Sequence, residues 1–549
     1  MYISYIDAQF MMLHTHMVQK PQLFGTTSSP FVLKDVCSPR HGRPLYVTTP
    51  IYYVNDVPHI GHAYTTIAAD VMARFWRFLG WPTWFSTGVD EHGGKVAQSA
   101  KTKGVPTQSY VDHMAEIFKS LVHVLDATPD EFIRTTEPRH HHAAQELWKK
   151  LEQKGQIYLG TYSGWYAIRD EAFYSKDEIQ DGKAPSGAPV EWVEEPCYFF
   201  KLSSWQEKLL TYYRHNPEAI RPKERYNETI SFIQSGLKDL AISRTKLSWG
   251  ISVPTHIGHV MYVWMDALTN YITVLGYPDT ENEHYQTFWP HSVHLVGKDI
   301  LRFHTVYWPA FLMAAGLNPP AQVFAHGWWT RDGQKMSKSL GNALDPFSLV
   351  QHYGSDAVRY FLLREMRFGQ DGDISENAIL QRYHQELKNS LGNLAQRVLA
   401  FIHQFYPQGV QSLENSFLDQ DHEALQTWGR RALPYLKYCI EQEDLYGYID
   451  LLQTSVQHVN GYITRFEPWK LRSIPEKALF LSQGLYSLCV FLRDTALLFS
   501  VVLPKSMSVL LEQMGEQGNI SKGSYLRVGA PLSQGPWPKP HPLFGSSEE

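Results

Sequence analysis

The order of secondary structure predicted near the start of the chain is the strongest constraint on its fold. Residues 45–58 are rich in β-branched and aromatic residues and end in a loop of asparagine, aspartate and proline, which is typical of a strand running into a turn. A helix is predicted next, because Ile67, Val71 and Phe75 recur at helical spacing. Residues 81–100 repeat the order of strand, glycine-containing loop and helix. This repetition predicts an α/β fold with a doubly wound, Rossmann-like parallel sheet.

The α/β pattern is interrupted once and is later replaced by helices alone. Residues 155–245 are aromatic and turn-rich, so we predict small antiparallel strands inserted between two halves of the sheet. After about residue 378, apolar residues recur three or four positions apart, as in a helical bundle. The predicted segments are an N-terminal extension, 1–43; the two sheet halves, 44–154 and 246–342; the connective insert between them; a linker, 343–378; a helical domain, 379–515; and an extended tail, 516–549.

Length and composition exclude several classes of protein. The chain has 549 residues, 43% of them hydrophobic, so it can bury several cores and is not disordered throughout. Its net charge of −5 means that any nucleic-acid binding would need local patches and stacking. Four scattered cysteines predict no disulfide framework and fit a reduced, cytoplasmic setting. The most apolar stretch carries Gln483, Arg493 and Asp494, which indicates bundle helices and no membrane span.

The first 43 residues do not have the pattern of a targeting sequence. They lack a basic start followed by an apolar run, and they contain Asp7 and Asp35 with little arginine, unlike a mitochondrial presequence. We therefore expect a disordered extension or the product of an upstream start codon.

The tetrapeptide His59-Ile60-Gly61-His62 lies where the first strand gives way to the first helix. Two imidazoles at a helix N-terminus can approach a polyphosphate, since the helix end favours anions. The same four letters recur at His256–His259, after Pro254 and before the strand-like stretch VMYVW. With no helix N-terminus expected there, we interpret the second copy as a chance match in a connecting loop.

A second phosphate-binding candidate is the stretch Lys335-Met336-Ser337-Lys338-Ser339, which follows the turn RDGQ. Two lysines and two hydroxyls in a polar loop suit a clamp on phosphates, where negative charge develops during transfer. Taken alone, such a stretch is most often a solvated surface loop. The histidine motif and the lysine loop together, with the loop just ahead of a helical domain, indicate a phosphate-binding site far more specifically than either motif does alone.

Together these motifs resemble those of class I aminoacyl-tRNA synthetases, and the details resemble the methionyl-tRNA synthetase family. The resemblance covers essentially residues 44–545, through TTPIYYVNDVPHIGH, GVDEHG, YVWMDALTNY, LVGKDILRFH, the KMSKS loop, LGNLAQR and FEPW. It is closest to the α-proteobacterial form, as AIRDEAFY and PSGAPVEWVEEP indicate. It implies a ligase that activates L-methionine with ATP and transfers it to the terminal adenosine of tRNA(Met) for translation initiation and elongation.

The resemblance also implies the substrate residues. Asp90 would receive the α-ammonium group, Tyr53 and His304 would contact the sulfur region, and Trp264 would form a wall. The full methionine set would be Ile51, Tyr53, Asp90, Val263, Trp264, Ala267, Leu268, Tyr271, Ile300 and His304. ATP, accompanied by Mg²⁺, would be held by His59, Gly61, His62, Lys335, Ser337 and Lys338, of which the two histidines and two lysines would be catalytic. Alternatively, Trp264 and Tyr271 could be ordinary core residues that do not contact a substrate.

The insert departs from the family pattern. Many members carry cysteine-based zinc knuckles there, but this stretch has only Cys197. Zinc prefers four nitrogen or sulfur ligands, so we predict no structural metal. We interpret the run His140-His141-His142, on a predicted helix, as a solvated face.

The helical domain would read the anticodon, and residues 343–378 would contact the tRNA stem. Asn393 and Arg397 lie one helical turn apart beside the apolar stripe, and Trp469 could stack on an unpaired base. By motif match these three would contact the CAU anticodon; a capped helix end with a buried tryptophan is the other interpretation. Without the appendix that dimerises some family members, a monomer is expected.

Two other classes remain open. One is a class I synthetase for another apolar amino acid, although the leucine, isoleucine and valine enzymes carry a large editing insert. The other is a non-catalytic tRNA-binding protein, which would be expected to have lost its phosphate-handling residues.

Overall fold

The computed structural model describes residues 42–167, 172–174, 176–254, 256–331, 334–335, 344–410, 419–518, 520, 522–533 and 535–545, with the backbone alone at 172–173 and 334–335. The predicted extension therefore lies almost wholly outside the described residues. The first half of the sheet domain comprises β1 (Leu45–Tyr53), α1 (Ile60–Phe78), β2 (Thr83–Asp90), α2 (Gly94–Thr102), α3 (Thr107–Val124), β3 (Glu131–Arg134) and α4 (Pro138–Gln153).

The middle of the chain is built from short strands and two helices. In order these are β4 (Ile157–Ala167), β5 (Ala172–Tyr174), β6 (Glu191–Phe200), α5 (Gln206–His215), β7 (Ile220–Arg221), α6 (Lys223–Gln234), β8 (Leu240–Ala241), β9 (Ser243–Arg244) and β10 (Val260–Met261). The second half of the sheet domain and the linker follow as α7 (Val263–Thr273), α8 (Glu283–Phe288), β11 (Ser292–Gly297), α9 (Trp308–Ala315), β12 (Gln322–His326), β13 (Trp329–Arg331), β14 (Gln334–Lys335), α10 (Pro346–Tyr353), α11 (Ser355–Arg364) and β15 (Gly372–Asp373).

The rest of the described chain is helical. It contains α12 (Glu376–Arg382), α13 (Asn393–Phe405), α14 (Gln420–Glu441), α15 (Leu445–Phe466), α16 (Pro468–Leu471), α17 (Ala478–Phe499) and α18 (Pro504–Gln513), and a π-helical stretch over Tyr383–Gly392 joins α12 to α13. Its apolar residues form one continuous core with α1 and α11, so the helical domain is packed directly on the sheet domain. None of the described helices is long and apolar enough to cross a membrane.

The predicted doubly wound sheet is confirmed. Six parallel strands lie in the order β3-β2-β1-β11-β12-β7, so the chain crosses from the first half to the second between β1 and β11. Open parallel sheets bind ligands beyond the carboxyl ends of their strands at such a change of direction. The fold therefore places a site beside the ends of β1 and β11.

The insert contains the antiparallel sheet that the turn-rich sequence predicted, in the order β5-β4-β6-β8. The predicted segment 155–245 is nevertheless more than this sheet. Its strand β7 pairs in parallel with β12 at the edge of the main sheet, and α5 and α6 flank that strand. Two residues are too short to show a strand period, so periodicity could not reveal β7.

A buried ion pair joins the sheet domain to the linker, and the linker arginine also contacts the helical domain. Asp70 on α1 and Arg359 on α11 are fully buried, with a carboxylate oxygen 2.7 Å from the guanidinium nitrogen Nη2. Arg359 also donates to the carbonyl oxygens of Val501 and Val502, both at 2.9 Å, in the turn after α17. Burial alone would raise the pKa of Asp70, but Arg359 and then Arg74 hold that pKa below its ordinary value. The charge is therefore retained inside the protein.

Replacing Arg359 should strongly destabilise the protein. In Arg359→Met the Asp70 carboxylate keeps Arg74 at 2.7 Å but loses its fully buried partner, and the carbonyl groups of Val501 and Val502 lose their donor, so we expect a loss of about 3 kcal/mol, the lower end for a broken buried pair. Urea unfolding measures the effect, and the double variant Asp70→Asn/Arg359→Met should regain part of the loss. The control is Arg139→Met, which removes an arginine 46% exposed and paired with Glu131 and should change stability by less than about 1 kcal/mol. Equal losses in the two single variants would contradict the expectation.

The same pair makes the protein sensitive to acid. Because the pKa of Asp70 is lower in the folded than in the unfolded chain, its stabilising contribution is complete above the unfolded value and is lost as the pH falls through the folded one.

Candidate active site

A cavity of about 1130 Å³ opens at the carboxyl ends of β1, β2, β11 and β12. All ten residues predicted to bind methionine line it, together with His59, Gly61 and His62. These residues come from strand ends, α1, α7 and the segment after β11, which are distant in the sequence. The parallel sheet brings them together because its strands end at one edge.

The first histidine motif caps α1. The Nδ1 atom of His59 accepts a hydrogen bond from the Gly61 amide at 3.1 Å, and Nδ1 of His62 accepts one from the His59 amide at 3.0 Å. The two rings stack with centroids 3.9 Å apart. With Nδ1 acting as acceptor, each neutral ring carries its proton on Nε2, so each can offer one donor to phosphate oxygens at this helix end.

Gly61 has a clear steric role in this cap. A Cβ at this position would lie 2.9 Å from Cε1 of the His59 ring, which folds back over the helix start. The glycine thus allows the imidazole to cap the helix, besides leaving space for a nucleotide as the sequence suggested.

The second copy of the motif lies in a loop, as predicted. His256 contacts a Glu152 carboxylate oxygen at 2.7 Å through Nε2, and Nδ1 of His259 lies 3.0 Å from the Ser243 hydroxyl. The expectation for the residues that follow was only partly right. The strand covers just Val260–Met261, and α7 begins at Val263, so a helix starts four residues after His259 and not at the motif itself.

The cavity wall includes a carboxylate at the end of β2 and a pair of stacked aromatic rings. Asp90, 8% exposed, is the last residue of β2 and pairs in register with Tyr53 at the end of β1. Opposite them, the Trp264 ring stacks on Phe303 with centroids 3.8 Å apart and planes 4° from parallel. Trp264 is therefore a partly exposed cavity wall and not ordinary core packing. Phe303 was not among the residues predicted to line the site, because the stretch that contains it, LVGKDILRFH, shows no distinctive period.

His304 is a neutral acceptor facing Tyr271. Its Nδ1 lies 2.9 Å from the carbonyl oxygen of Ile300 and must donate, so Nε2, 2.7 Å from the Tyr271 hydroxyl, accepts. Burial lowers the pKa of His304 to about 4 and raises that of Tyr271 well above its ordinary value. Both groups are therefore uncharged at neutral pH, as suits a site for an apolar thioether side chain.

The lysine loop is reached through a small sheet at the cavity rim. Strand β13 pairs with β14, where Thr330 lies opposite Lys335, and in parallel with β15. The backbone of Lys335 is thus placed, whereas Ser337 and Lys338 lie outside the described residues. The lysine contacts predicted for ATP stay a prediction.

Further cavity residues were missed by the sequence analysis. Lys298 and Asp299 follow β11 directly, and Arg244 ends β9. A polar pair immediately after a buried strand was the available signal for the first two, whereas Arg244 could be located only by the fold. The ammonium of Lys298 lies 2.6 Å from Asp371 and 4.3 Å from the ring centroid of Trp328.

The three residues predicted to read an anticodon include a close pair on the helical domain. The guanidinium of Arg397 on α13 lies 5.5 Å from the ring centroid of Trp469, which is 48% exposed. Asn393 is exposed at the first position of α13, one turn from Arg397. Glu467, in the left-handed conformation with φ of 43°, ends α15 and turns the chain into α16, which carries Trp469. The alternative of a buried tryptophan is wrong.

The prediction of a solvated histidine run is wrong for its first member. His140 on α4 is fully buried, with Nε2 2.8 Å from a carboxylate oxygen of Asp266, whereas His142 is exposed. The error arose because the run was treated as one face, although neighbouring helix residues point about 100° apart. Among the described residues no group of three or more histidine, cysteine or acidic side chains is arranged to hold a metal.

Comparisons with known proteins agree with this geometry. The family model for class I tRNA synthetases (M) matches residues 45–188 and 178–399. The methionine–tRNA ligase of Rickettsia felis is 49% identical over 474 residues, which cover 86% of this chain and 92% of that protein. The chain belongs to the methionine–tRNA ligase family. A second relative, the methionine–tRNA ligase of Mycobacterium tuberculosis, is 45% identical over 90% of this chain and 96% of that protein.

Solved structures of the methionine–tRNA ligase family have the same architecture. Methionyl-tRNA synthetase from Mycobacterium tuberculosis in complex with methionyl-adenylate superposes with a TM-score of 0.88 at 44% identity, over 91% of this chain and 99% of that one. The apo form of that synthetase gives a TM-score of 0.82 at 40% identity. The fold and the family are therefore shown by sequence and structure independently.

The two copies of the histidine motif should behave oppositely when mutated. His62→Ala removes a donor at the start of α1 and should slow adenylate formation by about 100-fold or more, as for loss of one transition-state donor. His259→Ala, in the loop before β10, should leave the rate nearly unchanged. Methionine-dependent ATP–pyrophosphate exchange measures both. Equal losses would contradict the placement of the phosphates at α1.

Proposed function

We propose that this protein is a methionine–tRNA ligase that forms methionyl-adenylate from L-methionine and ATP and then transfers the methionyl group to the 3′-terminal adenosine of tRNA(Met). The observation that carries the proposal is the single cavity in which an acidic strand end, an aromatic wall and a histidine-capped helix start meet. The membership of the family and the likeness to a structure holding methionyl-adenylate support it.

Methionine is proposed to lie between the end of β2 and the inner side of α7. Asp90 would receive the α-ammonium group as a charge-assisted partner. The thioether is polarisable and apolar, so Trp264, stacked on Phe303, would pack on it while Tyr271 and His304 contribute uncharged polar atoms. Ile51, Tyr53, Val263, Ala267, Leu268 and Ile300 complete the proposed pocket.

The reaction is proposed to need no protein nucleophile. The methionine carboxylate attacks the α-phosphorus of ATP in line and pyrophosphate leaves, so the protein positions the reactants and stabilises charge. His59 and His62 would donate to the phosphates at the start of α1, and Lys335 and Lys338 would meet the same charge from their loop. In the second step a ribose hydroxyl of the terminal adenosine attacks the adenylate carbonyl, and AMP is released.

Mg²⁺ is proposed to arrive with ATP as a substrate complex. Magnesium keeps several waters and binds through phosphates with one or two carboxylates, so it does not need a site made wholly of protein groups. We propose that the insert, with Cys197 alone, holds no structural zinc.

Arg397, Asn393 and Trp469 are proposed to bind the CAU anticodon. A half-exposed indole offers a face on which an unpaired base can stack, and the adjacent guanidinium can contact the phosphate backbone or the base. The exposed Asn393 supplies hydrogen-bonding groups one turn away.

The protein is further proposed to act as a cytoplasmic monomer. Cys197, Cys439 and Cys489 are buried thiols without a disulfide, which suits a reducing compartment.

Amino-acid dependence tests the proposed substrate. ATP–pyrophosphate exchange measured with each of the twenty amino acids should require methionine. The kcat/KM for leucine or isoleucine should be lower than that for methionine by at least about 10–200-fold, the factor that a difference of one methylene produces in an apolar pocket. Exchange with leucine or isoleucine at comparable kcat/KM would favour the alternative, a synthetase for another apolar amino acid.

Trp469→Ala tests the anticodon surface. Loss of one stacked base should weaken the complex with tRNA(Met) by about 1–3 kcal/mol, while methionine-dependent exchange stays nearly unchanged. Aminoacylation of full-length tRNA compared with a minimal acceptor stem measures the difference, since the stem does not reach α16. The matched control is Trp192→Ala, which removes a tryptophan 55% exposed on the insert. A drop in exchange equal to the drop in aminoacylation would show that Trp469 supports the fold.

A further inference from the structure

Behind the methionine side of the cavity lies a buried cluster of charged groups that the reaction does not use. Asp266 on α7 contacts two imidazoles: Nδ1 of His92 at 2.6 Å and Nε2 of His140 at 2.8 Å. The side chains are 1%, 4% and 0% exposed, respectively. None of the three lines the main cavity. The cluster is defined here as the Asp266 cluster.

Both ring nitrogens of His140 have partners on α7. Nε2 lies 2.8 Å from a carboxylate oxygen of Asp266, and Nδ1 lies 3.1 Å from the hydroxyl of Thr273. His140 therefore connects α4 to two points of α7.

The Asp266 cluster ties together the two elements that hold methionine in the proposed site. His92 follows Asp90 by two residues, beyond the end of β2. Asp266 lies on α7 among Trp264, Ala267 and Leu268, which line the cavity from the other side of the same helix. Asp266 and Thr273 are two helical turns apart and both face α4, where His140 lies.

We propose that Asp266, with His92 and His140, is a positioning unit for methionine: it fixes the distance between Asp90 and the aromatic wall of α7. The inference rests on the proposed assignment of Asp90 and Trp264 to methionine. It predicts an effect on methionine affinity with little effect on ATP, since the His59 and His62 cap belongs to another helix.

The groups around the Asp266 cluster are consistent with its charge. His141 lies beside His92, with ring centroids 5.4 Å apart, and burial first and then the charge of His92 lower the pKa of His141. Glu91 is paired with Arg134 at 2.8 Å, and Arg244 lines a small cavity together with His92. Burial alone would raise the pKa of Asp266, but His92 and His140 hold it below its ordinary value. The cluster therefore remains ionic.

Asp266→Asn and His140→Gln test the proposal in the full-length protein. Each should raise the methionine KM in pyrophosphate exchange by about tenfold, the size of one lost hydrogen bond to a charged group, while kcat and the ATP KM remain nearly unchanged. His141→Gln, a substitution at the next position of α4, is the matched control and should leave the methionine KM nearly unchanged.

The split between the kinetic constants separates positioning from a purely structural role. A general loss of structure would raise the methionine and ATP KM together and lower kcat, whereas loss of positioning raises the methionine KM alone. Equal increases in the methionine and ATP KM, or an unchanged methionine KM, would each overturn the inference. So would a stoichiometric metal ion that is lost in His140→Gln.

Asp90→Asn distinguishes failure of this inference from failure of the site assignment. If Asp90→Asn binds methionine normally, the proposed methionine site is wrong and the inference falls with it. If Asp90→Asn loses methionine affinity while Asp266→Asn and His140→Gln do not, only the positioning role is overturned.

Discussion

The structure depends on one buried ion pair between the sheet domain and the linker. Asp70 and Arg359 are both inaccessible to solvent, and such a pair is stable only with good geometry and further hydrogen bonds. Thr128 donates to the carboxylate, and carbonyl groups beyond α17, in the helical domain, accept from the guanidinium. Because Asp70 lies on α1, whose first residues carry the histidine cap, these contacts tie that helix to the helical domain. The cavity and the proposed anticodon surface around Trp469 therefore belong to domains that share one core.

Uncharged and charged groups are segregated within the sheet domain. Around the methionine side, burial keeps His304 neutral and Tyr271 protonated, which suits an apolar substrate side chain. A short distance behind, the same burial surrounds Asp266, and there two histidines compensate the charge. Both arrangements satisfy the rule that a buried polar group needs a partner. The difference is that the groups of the first arrangement are uncharged, whereas the second keeps an ionised carboxylate inside the protein.

The two identical tetrapeptides have different roles because the backbone around them differs. His59 and His62 cap a 19-residue helix, so their Nδ1 atoms accept from backbone amides. His256 and His259 instead contact Glu152 and Ser243 in a loop. The backbone that follows each motif, and not the residues of the motif, determines whether it can meet a phosphate. The sequence pattern was sufficient to predict that difference, since a helical period begins directly at the first copy and a strand-like stretch follows the second.

Local patterns in the sequence determined the parallel sheet, the helical domain and the helix start at His59–His62, because strand period and helix period act over a few residues. The ten candidate methionine residues were implied by the resemblance to a known family and not by period or spacing. Only the tertiary structure decided what depends on contacts between distant segments. His140 was expected in solvent, yet Asp266, far along the chain, buries it; β7 is two residues long and exists only by pairing with β12. Phe303 becomes a wall only because α7 brings Trp264 against it. Such contacts form only when elements that are distant in the sequence pack together. They leave no periodic pattern in the local sequence from which they could be predicted.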